Sequence, residues 1–138
     1  MPEEFALDPR LAAESSALGE LPVCRVLLFD DARYPWIVLV PRRAGLVEIT
    51  DLPAKERTML LEEIGAAMDA LKAATSPYKL NVAALGNVVR QLHVHVIARY
   101  QGDAAWPAPV WGRGDRVPYE PGARAELVRI LRRGFGFD

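Results

Sequence analysis

The sequence has almost none of the residues that form disulfide bonds. Cys24 is the single cysteine in a chain of 138 residues. No disulfide can therefore form within one chain, and this composition suits a reducing compartment such as the cytoplasm. Histidine is nearly as rare, because only His93 and His95 occur. Any histidine-dependent chemistry must therefore come from one short segment.

The sequence also lacks an excess of charge of one sign and any long apolar run. Its 17 Lys and Arg residues nearly balance 18 Asp and Glu residues, so the formal net charge is -1. Such a chain has no basic field that would gather nucleic acid. Its apolar runs are too short to span a bilayer, and its acidic N-terminus lacks the apolar stretch of a signal peptide. We therefore expect a cytoplasmic protein with no membrane and no nucleic-acid partner.

The apolar content is sufficient for one core. Hydrophobic residues make up 51% of the chain, and no repeat or linker divides it, so residues 1–138 are expected to form one domain. Short apolar runs predict strands over Val23–Phe29, Trp36–Val40, Leu80–Leu85 and Leu92–Tyr100. Periodicity and capping residues predict helices from Asp8 to Gly19, from Asp51 and Pro53 to about Ala74, and from Pro121 to Arg133, ended by Gly134. This order predicts an α+β fold with an antiparallel sheet and one long crossing helix.

The two histidines lie in the last predicted strand, two residues apart. Because side chains alternate between the faces of a strand, Gln91, His93, His95 and Arg99 are expected on one face. Strand geometry places the two Cβ atoms roughly 6.5–7 Å apart, so the two imidazoles can contact one small group. One ring can attack that group while the other donates a proton or a hydrogen bond. Arg99 can balance the negative charge of a phosphate.

The strand alone leaves three interpretations open. The first is that the His-x-His pair is structural. The second is a zinc site, but zinc requires three or four ligands, and no cysteine or carboxylate at strand spacing nearby completes the set. The third is catalysis on a phosphate group.

The segment Leu80–Arg99, LNVAALGNVVRQLHVHVIAR, resembles the signature of the histidine triad (HIT) family. In that signature an Asn-bearing strand leads through a Gly-Gln turn into His-φ-His-φ-His-φ-φ, where φ is apolar. The upstream segment Val38–Leu52 is similar to the family's apolar strand, Pro, two basic residues and Asp-Leu before the long helix. The two motifs flank the same helix in the right order. The chain therefore resembles a variant branch of the family, with Gln91 in place of the first triad histidine.

The resemblance implies a five-stranded antiparallel sheet, a homodimer and a nucleotide ligand. It implies cleavage or transfer at the α-phosphate of a dinucleoside polyphosphate or a nucleoside phosphoramidate, with no cofactor and no metal for the covalent step. His93 matches the nucleophile that forms a nucleotidyl-histidine intermediate, and His95 matches the residue that contacts the phosphate or the bridging oxygen. The expected substrate-binding residues are Asn81, Gly86, Asn87, Val88 and, from the strand face, Arg99.

The departures from the family pattern concern the residues around the nucleophile. A glutamine at position 91 can orient a neighbour but cannot titrate. Ala44 stands where the family has a histidine, Asn87 where it has Gln, and Val88 where it has Ser or Thr. We expect Gln91 to act with His93 in catalysis. A nucleotide-binding module with little or no catalysis is the alternative that these departures favour.

Two aromatic segments flank the predicted site. Residues 31–36 form a turn that ends at Trp36, which we interpret as a core residue rather than part of a binding site. The loop from Trp106 to Trp111 follows the histidine strand, where it can cap the pocket or cross to a dimer partner. We favour the interface, because two tryptophans in a proline-rich loop need to be covered.

Overall fold

The computed structural model describes residues 4–137 of the protein. Its helices are α1 (Pro9–Ala13), α2 (Ala54–Thr75) and α3 (Pro121–Phe135), and a 3-10 turn at Ile49–Asp51 precedes α2. Its strands are β1 (Ser15–Glu20), β2 (Cys24–Phe29), β3 (Trp36–Pro41), β4 (Lys79–Ala83) and β5 (Val94–Arg99). The predicted α+β class, with one long helix and short terminal helices, is confirmed.

The strands of residues 4–137 form one five-stranded sheet in the order β1-β2-β3-β5-β4. Every neighbouring pair is antiparallel, and the short turn after Phe29 makes β2 and β3 a hairpin. Helix α2 carries the chain from β3 to the edge strand β4, and β5 then lies between them. The histidine strand is therefore an inner strand, in which Val38 of β3 and Ala83 of β4 flank His95.

The two faces of the sheet are covered differently. On one face, Val96 of β5 packs in a core with Leu71 of α2 and with side chains of α3. On the other face, Ile97 of β5 packs with Trp36 and with Val110 from the loop that follows β5. Because side chains alternate along β5, the histidines share the loop-covered face with Ile97.

The first predicted helix is wrong over most of its length. Asp8 caps α1 as predicted, since its carboxylate accepts a hydrogen bond from the amide of Arg10 at 2.8 Å. The helix then ends at Ala13, and residues 15–20 pair with β2 as the edge strand β1. Pairing with residues 15–20 gives hydrogen-bond partners to the backbone N–H and C=O groups along the edge of β2. This gain outweighs the weak tendency of residues 14–19 to continue a short helix. Gly19 lies inside this strand, where a Cβ would be 2.6 Å from the ring of Phe137.

The other predicted elements exist, with boundaries that differ by a few residues. β5 begins at Val94, so His93 lies just before the strand. Helix α3 does not stop at Gly134, because Gly136 is the residue that caps it, with a φ of 78°. Gly134 instead permits close packing, since a Cβ there would lie 3.3 Å from the Cβ of Ala70 in α2. No helix within residues 4–137 has both the length and the apolar character needed to cross a membrane.

Candidate active site

The start of β5 brings the two histidines together on the loop-covered face. The ring centroids of His93 and His95 lie 4.8 Å apart, with the rings edge to face. Both side chains are buried, with 6% and 8% of their surface exposed. The two imidazoles are therefore close enough to contact the same phosphoryl group, as alternation along the strand predicts.

The backbone selects one tautomer of the neutral His93 ring. Its Nδ1 lies 2.7 Å from the carbonyl oxygen of Gln91. A carbonyl oxygen only accepts hydrogen bonds, so Nδ1 carries the proton and donates it. In the neutral ring, Nε2 then keeps its lone pair, which is the state that a nucleophilic imidazole needs.

His95 receives a hydrogen bond from a tryptophan on the neighbouring strand. The indole Nε1–H of Trp36 donates to Nδ1 of His95 at 3.0 Å. The ring of Trp111 also packs edge to face on His95, with 5.1 Å between centroids. Burial and, secondarily, the nearby His93 lower the pKa of His95 from 6.5 to about 3. The ring is therefore neutral at pH 7.

The side chain of Gln91 binds the N-terminal segment. Its Oε1 accepts a hydrogen bond from the amide of Asp8, and its Nε2 donates to the carbonyl of Ala6, both at 2.8 Å. Nearby, Arg10 donates from Nη1 to the carbonyl of Val88 at 3.1 Å. These contacts tie residues 6–10 to the turn that leads into β5. Within residues 4–137, His93 donates to the backbone carbonyl of Gln91 and makes no hydrogen bond with the Gln91 side chain.

Arg99 and Asn81, both predicted to bind substrate, are engaged with other groups. Arg99 is 1% exposed, and its Nε and Nη2 donate to the carboxylate of Asp103 at 2.8 and 3.0 Å. Its Nη1 donates to Oδ1 of Asn81 at 2.8 Å. Burial by itself raises the pKa of Asp103, but hydrogen bonds from Arg99 and from backbone amides outweigh it and lower the pKa to about 2. The charge of Arg99 is thus balanced by Asp103, and neither Arg99 nor Asn81 lines a cavity at His93.

Two cavities meet at His93. The larger, of about 380 Å³, is called the aromatic groove here. It is lined by Glu14, Phe29, Trp36, residues 85–89, His93, His95 and Trp111. The smaller, of about 210 Å³, is lined by residues 47–50, 84–86, 92 and 93. Leu85, Gly86 and His93 line both cavities, so a ligand in either one can reach the His93 ring.

The turn between β4 and β5 supplies one wall of the aromatic groove. Gly86 has a φ of 72°, a left-handed conformation that glycine adopts without strain. The backbone amides of Gly86, Asn87 and Val88 form no hydrogen bond within residues 4–137. The Val88 side chain is 77% exposed. The structure thus brings these three predicted substrate-binding residues to the two histidines.

The described residues contain no group of three or more His, Cys, Asp or Glu side chains that could hold a metal ion. Cys24 is buried on β2, and Glu63 accepts hydrogen bonds from the amides of Val23 and Cys24 at 2.8 Å. Burial and then the charge of Glu63 raise the pKa of the Cys24 thiol. This environment disfavours the thiolate that metal binding or nucleophilic attack requires.

Trp36 is the site residue that sequence interpretation missed. It is indeed 5% exposed, as expected of a core residue, but its indole also bonds to His95. One signal in the sequence could have indicated this contact. A buried tryptophan needs an acceptor for its indole N–H, and few side chains on this face of the sheet can accept a hydrogen bond. No sequence pattern indicated that Gln91 would bind Asp8, which is 83 residues away.

Comparisons with known proteins identify the family and the fold. The model of the HIT domain family matches residues 10–102. A histidine triad protein from Bradyrhizobium japonicum is 45% identical and superposes with a TM-score of 0.94 over 96% of this chain and 99% of its own. One from Marinobacter aquaeolei is 44% identical, with a TM-score of 0.94 and 98% of each chain covered. One from Sinorhizobium meliloti is 42% identical, with a TM-score of 0.92 over 94% of this chain and 96% of its own. No curated protein matches this chain.

Proposed function

Because the chain belongs to the HIT domain family, we propose that it is a nucleotide hydrolase or transferase with His93 as its nucleophile. Family membership by itself suggests a nucleotide ligand and hydrolase or transferase activity. The finer proposal is attack at the α-phosphate of a dinucleoside polyphosphate or a nucleoside phosphoramidate, through a nucleotidyl-histidine intermediate. One observation carries it: the hydrogen bond from His93 Nδ1 to the Gln91 carbonyl leaves the Nε2 lone pair available.

The proposed reaction consists of two displacements at phosphorus. In the first, the Nε2 lone pair of His93 forms a P–N bond. The bond from phosphorus to the leaving group breaks at the same time, and the leaving group takes the electron pair of that bond. A phosphate leaves as an anion, and an amine takes a proton from solvent. In the second, water attacks phosphorus, the P–N bond breaks, its electron pair returns to Nε2, and the proton of the water passes to solvent. In a transferase, another hydroxyl acceptor takes the place of this water.

The walls of the aromatic groove suit the other parts of a nucleotide. The amides of Gly86, Asn87 and Val88 can donate to phosphate oxygens without adding formal charge. The rings of Trp36 and Trp111 offer apolar faces to a nucleobase, which stacks readily on aromatic side chains. In this proposal Arg99 and Asn81 support the site indirectly, because their hydrogen bonds join β4, β5 and the loop that covers them.

We assign the chain to a variant branch of the family in which an amide replaces the first triad histidine. Gln91 holds the N-terminal segment through its side chain and orients His93 through its backbone. The same observation favours the second candidate function, a nucleotide-binding module with little catalysis, because a bound amide cannot exchange a proton with His93. We also retain a homodimer and a cytoplasmic location as proposals, and light scattering after size-exclusion chromatography tests the assembly.

The test is turnover of adenosine and guanosine phosphoramidates and dinucleoside polyphosphates, compared between the wild type and His93→Ala. We expect nucleoside monophosphate from the wild type, a loss of about 10³-fold or more in the variant, and a nucleotide-sized mass increase on His93 after acid-free quenching. His95→Gln is the matched variant, because it keeps the nucleophile and should still form the covalent adduct. Nucleotide binding without adduct or turnover in the wild type would instead establish the binding module.

A further inference from the structure

We propose that Trp36 is a positioning residue that fixes His95 as the neutral tautomer with its proton on Nε2. The inference rests on the proposed function, because it assigns the role of the second histidine in that reaction. The two rings then have opposite roles, because Nε2 of His93 carries a lone pair whereas Nε2 of His95 carries a proton.

The tautomer follows from the chemistry of the two partners. An indole nitrogen only donates, so His95 Nδ1 must accept the hydrogen bond from Trp36 Nε1 at 3.0 Å. With Nδ1 unprotonated, a neutral imidazole has its proton on Nε2. His93 has the opposite arrangement, because a carbonyl that only accepts lies 2.7 Å from its Nδ1. The backbone sets one tautomer and a single side chain sets the other.

Packing holds this donor in place. Trp36 lies two residues before Val38, the direct neighbour of His95 on β3, so the pleat of the sheet places both rings on one face. The Trp36 ring packs against Phe29 at 4.5 Å and against Trp111 at 5.7 Å, measured between centroids. A side chain fixed by such contacts loses little further freedom when it donates a hydrogen bond.

The consequence is that His95 acts as a hydrogen-bond donor in its neutral form. Protonation of His95 Nδ1 would break the hydrogen bond from Trp36, because two N–H donors would then face each other. Among the described residues, the ionisable groups that line the aromatic groove with His95 are His93, whose ring contacts it, and Glu14. A neutral donor stabilises the negative charge that develops on a phosphoryl oxygen in the transition state. It binds the anionic substrate less strongly than a cation would, so more of its effect is on the rate than on substrate affinity.

The first test is nitrogen-15 NMR of the wild-type rings. Only two histidines occur in the chain, so the imidazole nitrogens are assigned with the single variant His93→Ala. We expect an unprotonated Nδ1 and a protonated Nε2 for His95 at pH 7, with scalar coupling across the hydrogen bond between its Nδ1 and the Trp36 indole nitrogen. A protonated Nδ1 on His95 would overturn the proposal. This measurement needs neither substrate nor turnover, so it remains decisive if the proposed function fails.

The second test removes the indole donor with Trp36→Phe, which keeps an aromatic ring. We expect Nδ1 of His95 to become protonatable, so the pKa of His95 rises, while kcat falls about 10-fold and KM changes less than about twofold. Trp106→Phe is the matched control, because Trp106 packs on Tyr78 and Arg99 outside the groove and should retain wild-type values. An unchanged His95 titration together with an unchanged kcat in Trp36→Phe would refute the positioning role.

Discussion

Lowering the pH from 7 to 5 is expected to destabilise the fold through His95. Burial, followed by the proximity of His93, lowers the pKa of this ring from 6.5 to about 3. The folded ring therefore stays neutral throughout this range, whereas the ring of the unfolded chain takes up a proton near its ordinary pKa. Because the unfolded state binds more protons, the free energy of unfolding must fall as the pH falls. The contribution is fully present above pH 6.5 and is lost progressively toward pH 3.

The magnitude follows from the range of pH in which only the unfolded ring is protonated. Each pH unit in that range changes the free energy of unfolding by about 1.4 kcal/mol. Between pH 7 and 5 the range covers about 1.5 units, which gives a loss of about 2 kcal/mol from this one side chain. For a domain of this size, such a loss is a large part of the total stability.

Urea denaturation at pH 7, 6 and 5 measures this loss, with His95→Gln as the matched variant. The variant keeps a side chain of similar size that can accept the Trp36 hydrogen bond, but it cannot titrate. We expect the wild type to lose about 2 kcal/mol more than the variant between pH 7 and 5, while other titrating groups affect both proteins equally. Equal losses in the two proteins would show that His95 is protonated as readily in the folded state as in the unfolded chain.

Three further predictions concern Gln91 and two contacts elsewhere in the fold. Gln91→Ala should lower the free energy of unfolding by about 1 kcal/mol and speed amide exchange over residues 6–10, since the side chain holds that segment; unchanged exchange would contradict this. Asp103→Asn should cost about 3–5 kcal/mol in urea denaturation, because it leaves the buried charge of Arg99 without its partner; a loss below about 1 kcal/mol would count against it. Gly19→Ala should cost about 1–3 kcal/mol, because its φ of 157° is unfavourable for an L side chain and the new Cβ would meet the ring of Phe137; a Phe137→Ala background should recover only the steric part, and no recovery at all would contradict the clash with the ring.

The sequence predicted strands β2, β3 and β5 but did not predict the edge strand β1. The runs that became β2, β3 and β5 are mostly apolar, and β3 and β5 are rich in β-branched residues, so their local preference and their buried environment agree. Residues 15–20 are small and weakly patterned, and their strand exists because the edge of β2 supplies backbone partners. That edge begins only four residues after Glu20, but residues 15–20 show no alternation of apolar and polar side chains that would mark them as its partner.

Arg99 shows a different limit of sequence interpretation. Alternation along the strand indicated the face on which it lies, and charge alone suggested phosphate as its partner. Asp103, four residues later, takes up that charge in a buried ion pair, with side chains 2% and 3% exposed. The spacing was visible in the sequence, but the loop conformation that turns Asp103 back onto β5 was not.

The sequence alone was enough to place the proposed nucleophile, His93, beside His95. His93 and His95 lie on one face because the side-chain period of a strand is two, a local property that requires no knowledge of the rest of the fold. Tertiary structure alone decided the protonation of His95 and the partner of Gln91. These depend on Trp36, 59 residues away, and on Asp8, 83 residues away. Strand register and the path of the N-terminal segment bring them together, and both arise from packing of the whole chain.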